Sequence, residues 1–179
     1  MIKDRIKLAE HFNSLGFHRG AEIGVADGRY AEILCQKIPG LKLTAVDPWM
    51  PYDGNWRSRG YQENAYKTAQ YRLKDYPVRF IKDYSIPASL SILDESLDFV
   101  FIDGDHHFDF IMEDIIAWSR KVRKGGIVSG HDYYEFKSGG IVPAVDAYVK
   151  AHNIDLQLTL ANQGGHKDDQ VPCWYFVKE

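Results

Sequence analysis

The chain has 179 residues, with 22 Lys and Arg against 25 Asp and Glu and a net charge of −3. That length suits one α/β domain able to bury a core without staples, and the scattered cations form no basic stripe of the kind that neutralises a nucleic-acid backbone, which disfavours nucleic acid as a partner. The two cysteines, Cys35 and Cys173, lie far apart without a CxxC pattern and read as buried free thiols; no run approaches the ~18 apolar residues of a membrane span and the N-terminus lacks a signal-peptide core, so a cytoplasmic protein is expected.

In chain order, Ile2, Ile6, Ala9 and Phe12 recur at helical spacing and Gly16 stops that helix. Residues 21–25 are a short strand, 28–38 a second helix closed by Pro39-Gly40, and 41–46 a second strand with Asp47 at its carboxyl end. Residues 48–60, rich in Pro, Gly, Trp and Arg, read as a loop. Tyr66, Ala69, Leu73 and Tyr76 mark a third helix, 78–81 a third strand and 87–93 a short helix. The fourth strand, 97–102, precedes a helix whose inner face is Phe108, Ile111, Ile115, Trp118 and Val122. Gly125-Gly126 turns the chain into strand 127–129, and Pro143 opens a helix facing inward with Val142, Val145 and Val149. Residues 154–160 and 171–177 are closing strands, joined in a hairpin-like way through Gly164-Gly165.

Strands alternating with helices predict a parallel sheet covered on both faces. Right-handed crossovers then put every strand's carboxyl end on one edge, where ligands bind near the reversal of strand order. Residues 24–29, 47–58, 82–87, 103–107 and 130–135 fall on that edge.

Gly24 and Gly28 flank the turn between the first strand and its helix. Glycine there admits a ligand close to backbone, and the helix start offers free N–H groups; a tight turn with no ligand would use the same residues. The spacing is Gly-x-x-x-Gly rather than the GxGxxG of dinucleotide enzymes. Glu22, two residues before Gly24, suits a cationic ligand better than pyrophosphate, and S-adenosylmethionine carries both an amine and a sulfonium. Asp47 stands about 20 residues on, where an acid accepts ribose hydroxyls.

Glu22-Ile-Gly-Val-Ala-Asp-Gly28, Ala-Val-Asp47-Pro-Trp, Phe-Ile-Asp103-Gly-Asp-His106 and Gly126-Ile-Val-Ser-Gly-His-Asp132 together resemble the class I S-adenosylmethionine-dependent methyltransferases. Within them the chain is similar to the methyltransferase-24 branch, with relatives among macrocin-type sugar O-methyltransferases and cephalosporin-hydroxylase-like proteins, over residues 18–135. The resemblance implies a three-layer Rossmann-like α/β fold whose seven-stranded, mostly parallel sheet has its last strand antiparallel. It implies cofactor contacts from Glu22, Gly24, Ala26 and Gly28 at the methionine end, Asp47, Pro48 and Trp49 at the ribose, Tyr84 and Ser85 at the adenine, and Asp103 beneath the sulfonium. Asp83 stands where relatives often carry glycine.

Asp103, Asp105, His106 and His107 follow one strand and His131 and Asp132 its neighbour, so these clusters should converge. Carboxylates with imidazole make a hard site suited to Mg²⁺ or another divalent metal. By position in the resemblance the metal ligands are Asp105, His131 and Asp132, with Asp103 the alternative first ligand; Asp105 equally suits the cap of a helix beginning at His106. His106 and His131 are the candidate catalytic bases, since imidazole titrates near neutrality. The loop from Trp49 to Arg59 is a candidate acceptor wall, and 166–169 reads as a solvated turn. The expectation is one domain, residues 1–179, transferring methyl from S-adenosylmethionine to a hydroxyl of a small molecule or sugar, with a homodimer as one way of closing its pocket. A metal-dependent hydroxylase or hydrolase, or a non-catalytic cofactor-binding protein, would share many of these features.

Overall fold

The computed structural model describes residues 2–51, 58–135, 139–161 and 170–179. Much of the candidate acceptor wall (52–57), the Gly164-Gly165 turn and the turn at 166–169 lie outside the described residues.

The first half alternates as expected: α1 (Arg5–Ser14), β1 (Arg19–Ile23), α2 (Arg29–Lys37), β2 (Lys42–Val46), α3 (Arg59–Leu73), β3 (Val78–Ile81) and α4 (Ser85–Ser89). Then come β4 (Leu97–Ile102), α5 (Phe108–Ser119), β5 (Val122–Gly130), α6 (Ile141–His152), β6 (Gln157–Leu158) and β7 (Trp174–Val177). The seven strands form one sheet in the order β3-β2-β1-β4-β5-β7-β6. β1 to β5 are mutually parallel, and β7 runs antiparallel between β5 and β6. Strand order reverses between β1 and β4, so the loops leaving these two strands diverge and open a crevice at the carboxyl edge.

Two cores flank the sheet. On one side α1, α2 and α3 bury Leu8, Phe12, Leu34 and Ala69 against Phe99 and Phe101. Phe12 and Phe99 stack with ring centroids 4.4 Å apart, and Tyr30 lies 4.2 Å from Phe101. On the other side α4, α5 and α6 bury Ala88, Ile115, Trp118 and Val145 against Ile23, Val46, Val100 and Val128. Alternate residues of each strand serve opposite cores, as the two-residue period of a strand requires.

Several boundaries move for local physical reasons. Helix α1 starts at Arg5, capped by Asp4, whose Oδ1 accepts from the Lys7 N–H at 2.8 Å. It buries Arg5 with Leu8, Ala9 and Phe12, while Ile6 is only half-buried and Ile2 precedes the helix. The short helix is Ser85–Ser89 rather than 87–93, because Pro87 fits a first turn whose N–H groups lack intrahelical partners. Val122 belongs to β5, paired with Leu97, rather than to the preceding helix. The register then slips before Phe99 meets Ile127, and Gly125-Gly126 fall within that irregularity. The closing strands shrink to Gln157–Leu158 and Trp174–Val177.

Phe99 is fully buried, and a Cβ at Gly20, its register partner on β1, would lie 2.2 Å from its ring. Phe99→Ala is expected to cost about 3–5 kcal/mol, because the ring bridges α1 and the sheet where neighbouring backbone cannot collapse into the gap. Urea unfolding should show the midpoint falling with the slope unchanged.

Candidate functional site

Asp47 organises the turn that leaves β1. Its Oδ2 accepts from the Val25 and Ala26 N–H groups at 3.0 and 2.9 Å, and its Oδ1 accepts from the Trp49 N–H at 2.7 Å. Trp49 is buried against Tyr66, with ring centroids 4.6 Å apart, and its Nε1 donates to the Ala26 carbonyl at 2.8 Å. Ala26 and Trp49 both hold left-handed φ, 48° and 42°, a conformation that costs energy outside glycine and persists where bonds enforce it. Pro48, between Asp47 and Trp49 in the chain, is half-buried. The acid expected at the ribose therefore also braces the turn.

The two glycines have packing reasons. Gly24 sits at φ +87°, and a Cβ there would lie 2.0 Å from the Asp103 carbonyl oxygen. Gly28, the N-cap of α2 at φ +79°, meets Ala69 of α3, whose Cα would stand 3.1 Å from its Cβ. Their absent side chains let the turn press against β4 and α3, whatever else they admit.

Beneath the turn, Glu22 is 2% exposed and its Oε2 has no hydrogen-bond partner among the described residues. Burial, reinforced by the Asp103 charge, pushes its pKa well above the ordinary carboxylate value, with Arg5 opposing. An orphaned, buried carboxyl oxygen is costly unless a donor arrives from elsewhere.

The ends of β4 and β5 converge. The ladder continues past Ile102 and Gly130, with the His131 N–H donating to the Ile102 carbonyl at 3.0 Å. This puts the His131 Nδ1 3.9 Å from Asp103 Oδ1 and 3.0 Å from Asp132 Oδ1. Asp103, His131 and Asp132 each offer a ligand atom, all within 4.8 Å of one another. Asp132 adopts φ 56°, which aspartate tolerates better than most non-glycine residues. Burial works against a charged His131, yet the Asp132 hydrogen bond and the charges of Asp103 and Asp132 prevail and lift its pKa to about 9. Burial likewise opposes ionised Asp132, but His131 and His106 hold it below the usual value. His106 Nε2 approaches this group at 3.3 Å from Asp132 and 3.9 Å from Asp103, and the Asp103 and Asp132 carboxylates raise its pKa.

Asp105 is engaged elsewhere. Its Oδ1 accepts from the His107 N–H at 2.9 Å and faces His107 Nδ1 at 2.5 Å. Helix α5 begins at Phe108 rather than His106, so Asp105 ties down the approach to the helix instead of capping its first residue. The compact donor set is thus Asp103, His131 and Asp132.

A family model described as a methyltransferase domain matches residues 21–133, from β1 through both acidic clusters. The chain belongs to this methyltransferase family. A relative from Acanthamoeba polyphaga mimivirus, an uncharacterized protein, is 29% identical over 134 residues, covering 72% of this chain; the chain spans 58% of that relative's length. Among solved structures, an O-methyltransferase from Bacillus cereus in complex with SAH superposes with a TM-score of 0.70 at 14% identity, covering 97% of this chain and 80% of that one. The O-methyltransferase TomG from Streptomyces achromogenes, involved in tomaymycin synthesis and in complex with SAM, gives 0.69 at 16% identity, covering 98% and 79%. The seven-stranded mixed sheet is the fold these proteins share.

After β3, Tyr84 is exposed at the N-cap of α4. Ser85 begins α4, and its hydroxyl donates to Asp114 Oδ1 while accepting from Trp118 Nε1 at 2.8 Å. The sequence reading missed two polar residues that order these parts. Asp114 is buried mid-helix in α5, where an apolar-face pattern passes over it. Arg72 of α3 donates to the Asp27 carbonyl at 3.1 Å and to Glu32 Oε2 at 2.9 Å, so it ties the turn and α2 to α3. Neither has a spacing signal, since each partner is distant in sequence.

Asp47→Ala is expected to leave three backbone N–H groups unsatisfied and lower stability by about 2–4 kcal/mol, read by chemical denaturation. Burial lifts Asp114 to a pKa of about 7, against the Ser85 hydrogen bond. Its folded pKa exceeds the unfolded one, so the folded state binds more protons between about pH 4 and 7. The associated stability is full below about pH 4, falls through about pH 7 and is flat above. Asp114→Asn removes this decline, by up to about 4 kcal/mol, so the difference in Tm between variant and wild type should grow from pH 4 to 7.

Proposed function

We propose that the chain is a single-domain S-adenosylmethionine-dependent O-methyltransferase acting on a small-molecule or sugar hydroxyl, with a divalent cation held by Asp103, His131 and Asp132. The observation that carries the reading is the orphaned Glu22 Oε2, buried under the turn and next in charge to Asp103, which marks a place for a cationic group. The two O-methyltransferases of the same fold, one in complex with SAH and one with SAM, support it. The donor set of two carboxylates and one imidazole fits a hard divalent ion such as Mg²⁺ or Mn²⁺.

When bound, S-adenosylmethionine supplies an electrophilic methyl on a sulfonium, and a divalent cation supplies Lewis acidity toward an acceptor hydroxyl. The protein's part is alignment. Glu22 accepts from the ammonium of the methionine end, and Ala26 and Gly28 hold the turn against it. Asp47 keeps that turn fixed through backbone bonds and, at the end of β2, stands where an acid meets the ribose hydroxyls. His106, at the mouth of the acidic group and 38% exposed, takes the hydroxyl proton, its ring made more basic by Asp103 and Asp132.

Calorimetry tests the donor. One equivalent of S-adenosylmethionine should bind, and Glu22→Gln should weaken it by about tenfold or more, the worth of one charged hydrogen bond. Absence of binding to wild type overturns the reading. Turnover, followed as S-adenosylhomocysteine formed with a panel of phenols and sugars, should fall on chelation and return with Mg²⁺. Asp132→Asn should cut Mg²⁺-dependent turnover by about 10–100-fold; turnover indifferent to chelator and to Asp132→Asn removes the metal from the mechanism.

A further inference from the structure

The opposite edge of the sheet carries a second constellation. Arg19 and Lys42 are the first residues of β1 and β2, and Arg79 is the second of β3. Ala21, Ile23 and Val46 belong to the core under α4, α5 and α6, so alternation puts Arg19, Lys42 and Thr44 on that same face. The register sets Arg19 directly beside Lys42 and Thr44 beside Arg79. Helix α4 spans only Ser85–Ser89 and covers the carboxyl half of these strands with Ala88. The amino half is left as the floor of an open surface hollow of about 300 Å³, lined by Ser91, Ser96 and Leu93 beside the three exposed cations.

Like charges set side by side on adjacent strands destabilise a sheet. Among the described residues no carboxylate forms an ion pair with Arg19, Lys42 or Arg79. Asp98 accepts the Arg19 backbone N–H at 2.9 Å and gives its other oxygen to Arg123 at 2.8 Å, while Asp94 and Glu95 pair with Lys121 and Lys178. Three cations and the hydroxyls of Thr44, Ser91 and Ser96 therefore ring one hollow that brings no counter-charge of its own.

We propose that this cavity binds a small phosphate-bearing molecule, its phosphate or diphosphate held by Arg19, Lys42 and Arg79 and its less polar part lying toward Leu93. Strands about 4.8 Å apart place the three cations across about 10 Å, a span for one or two phosphates rather than a tracked backbone. The guanidinium forks suit bidentate contact with phosphate oxygens, and a 79% exposed Leu93 offers apolar surface at the rim. A chain of net charge −3 with only three of its cations around a hollow favours a small anion over a nucleic acid.

The probe is inorganic pyrophosphate, titrated by calorimetry at constant ionic strength in chloride. One saturable site is expected, weakened at least about tenfold by Lys42→Gln and by Arg79→Gln. Amide chemical shifts of residues around Arg19, Lys42, Thr44 and Arg79 should move, and those of the Gly24–Gly28 turn should not. In the same chloride buffer without phosphate or pyrophosphate, the Tm of Lys42→Gln should equal or exceed that of wild type, because the variant removes a like-charge neighbour. No saturation, equal binding by the variants, shifts confined to the Gly24–Gly28 turn, or a clear fall in that Tm overturns the proposal. A short single-stranded RNA that binds more tightly than pyrophosphate and depends on the same cations also overturns it, in favour of a nucleic-acid contact.

Discussion

Everything at the carboxyl edge depends on one carboxylate gripping backbone. Asp47, at the end of β2, accepts three N–H groups, two from the turn after β1 and one from its own loop. Those bonds hold Ala26 and Trp49 in left-handed backbone, and Trp49 returns a bond to the Ala26 carbonyl. The turn is thereby fixed before any ligand arrives, and its glycines can press against β4 and α3. Preorganisation of this kind lets binding energy go into alignment rather than into ordering a loop.

The same edge concentrates negative charge. Glu22 faces the charge of Asp103, and Asp103 stands with Asp132 around His131; these acids are answered by Arg5, by protons and by imidazoles. Glu22 is driven toward its neutral form, and His131 holds a proton to about pH 9. Such a cluster is electrostatically incomplete, and a cation entering it relieves repulsion that burial makes expensive. The methyltransferase reading supplies cations of two kinds: the ammonium and sulfonium of the donor near Glu22, and a divalent ion among Asp103, His131 and Asp132.

The sheet carries opposite charges at its two ends. Parallel strands bring all their carboxyl ends to one edge and all their amino ends to the other, so one arrangement gathers acids at the crevice and Arg19, Lys42 and Arg79 beneath α4. The brevity of α4, whose first turn contains Pro87, leaves the second end open.

The sequence by itself determined the alternation of strands and helices, the parallel sheet and the carboxyl edge as the place for chemistry. Hydrophobic periodicity and glycine punctuation are local signals, and they survive in β1 to β4, α2 and α5. It also put Glu22, Asp47, Asp103, His131 and Asp132 at strand ends along that one edge, because a parallel sheet sends all its carboxyl ends the same way. Only the tertiary structure decided what each group does there. Asp105 faces His107, two residues away, and leaves the acidic group to Asp103, because a side chain's direction depends on the turn that carries it. Gly24 and Gly28 answer to β4 and α3, Ser85 to Asp114 and Trp118, and Arg72 to Asp27 and Glu32. These partners are remote in sequence and leave no spacing to read. The shortening of β6 and β7 has the same origin: a strand's length is set by the neighbour it pairs with, and among the described residues β6 pairs only with β7.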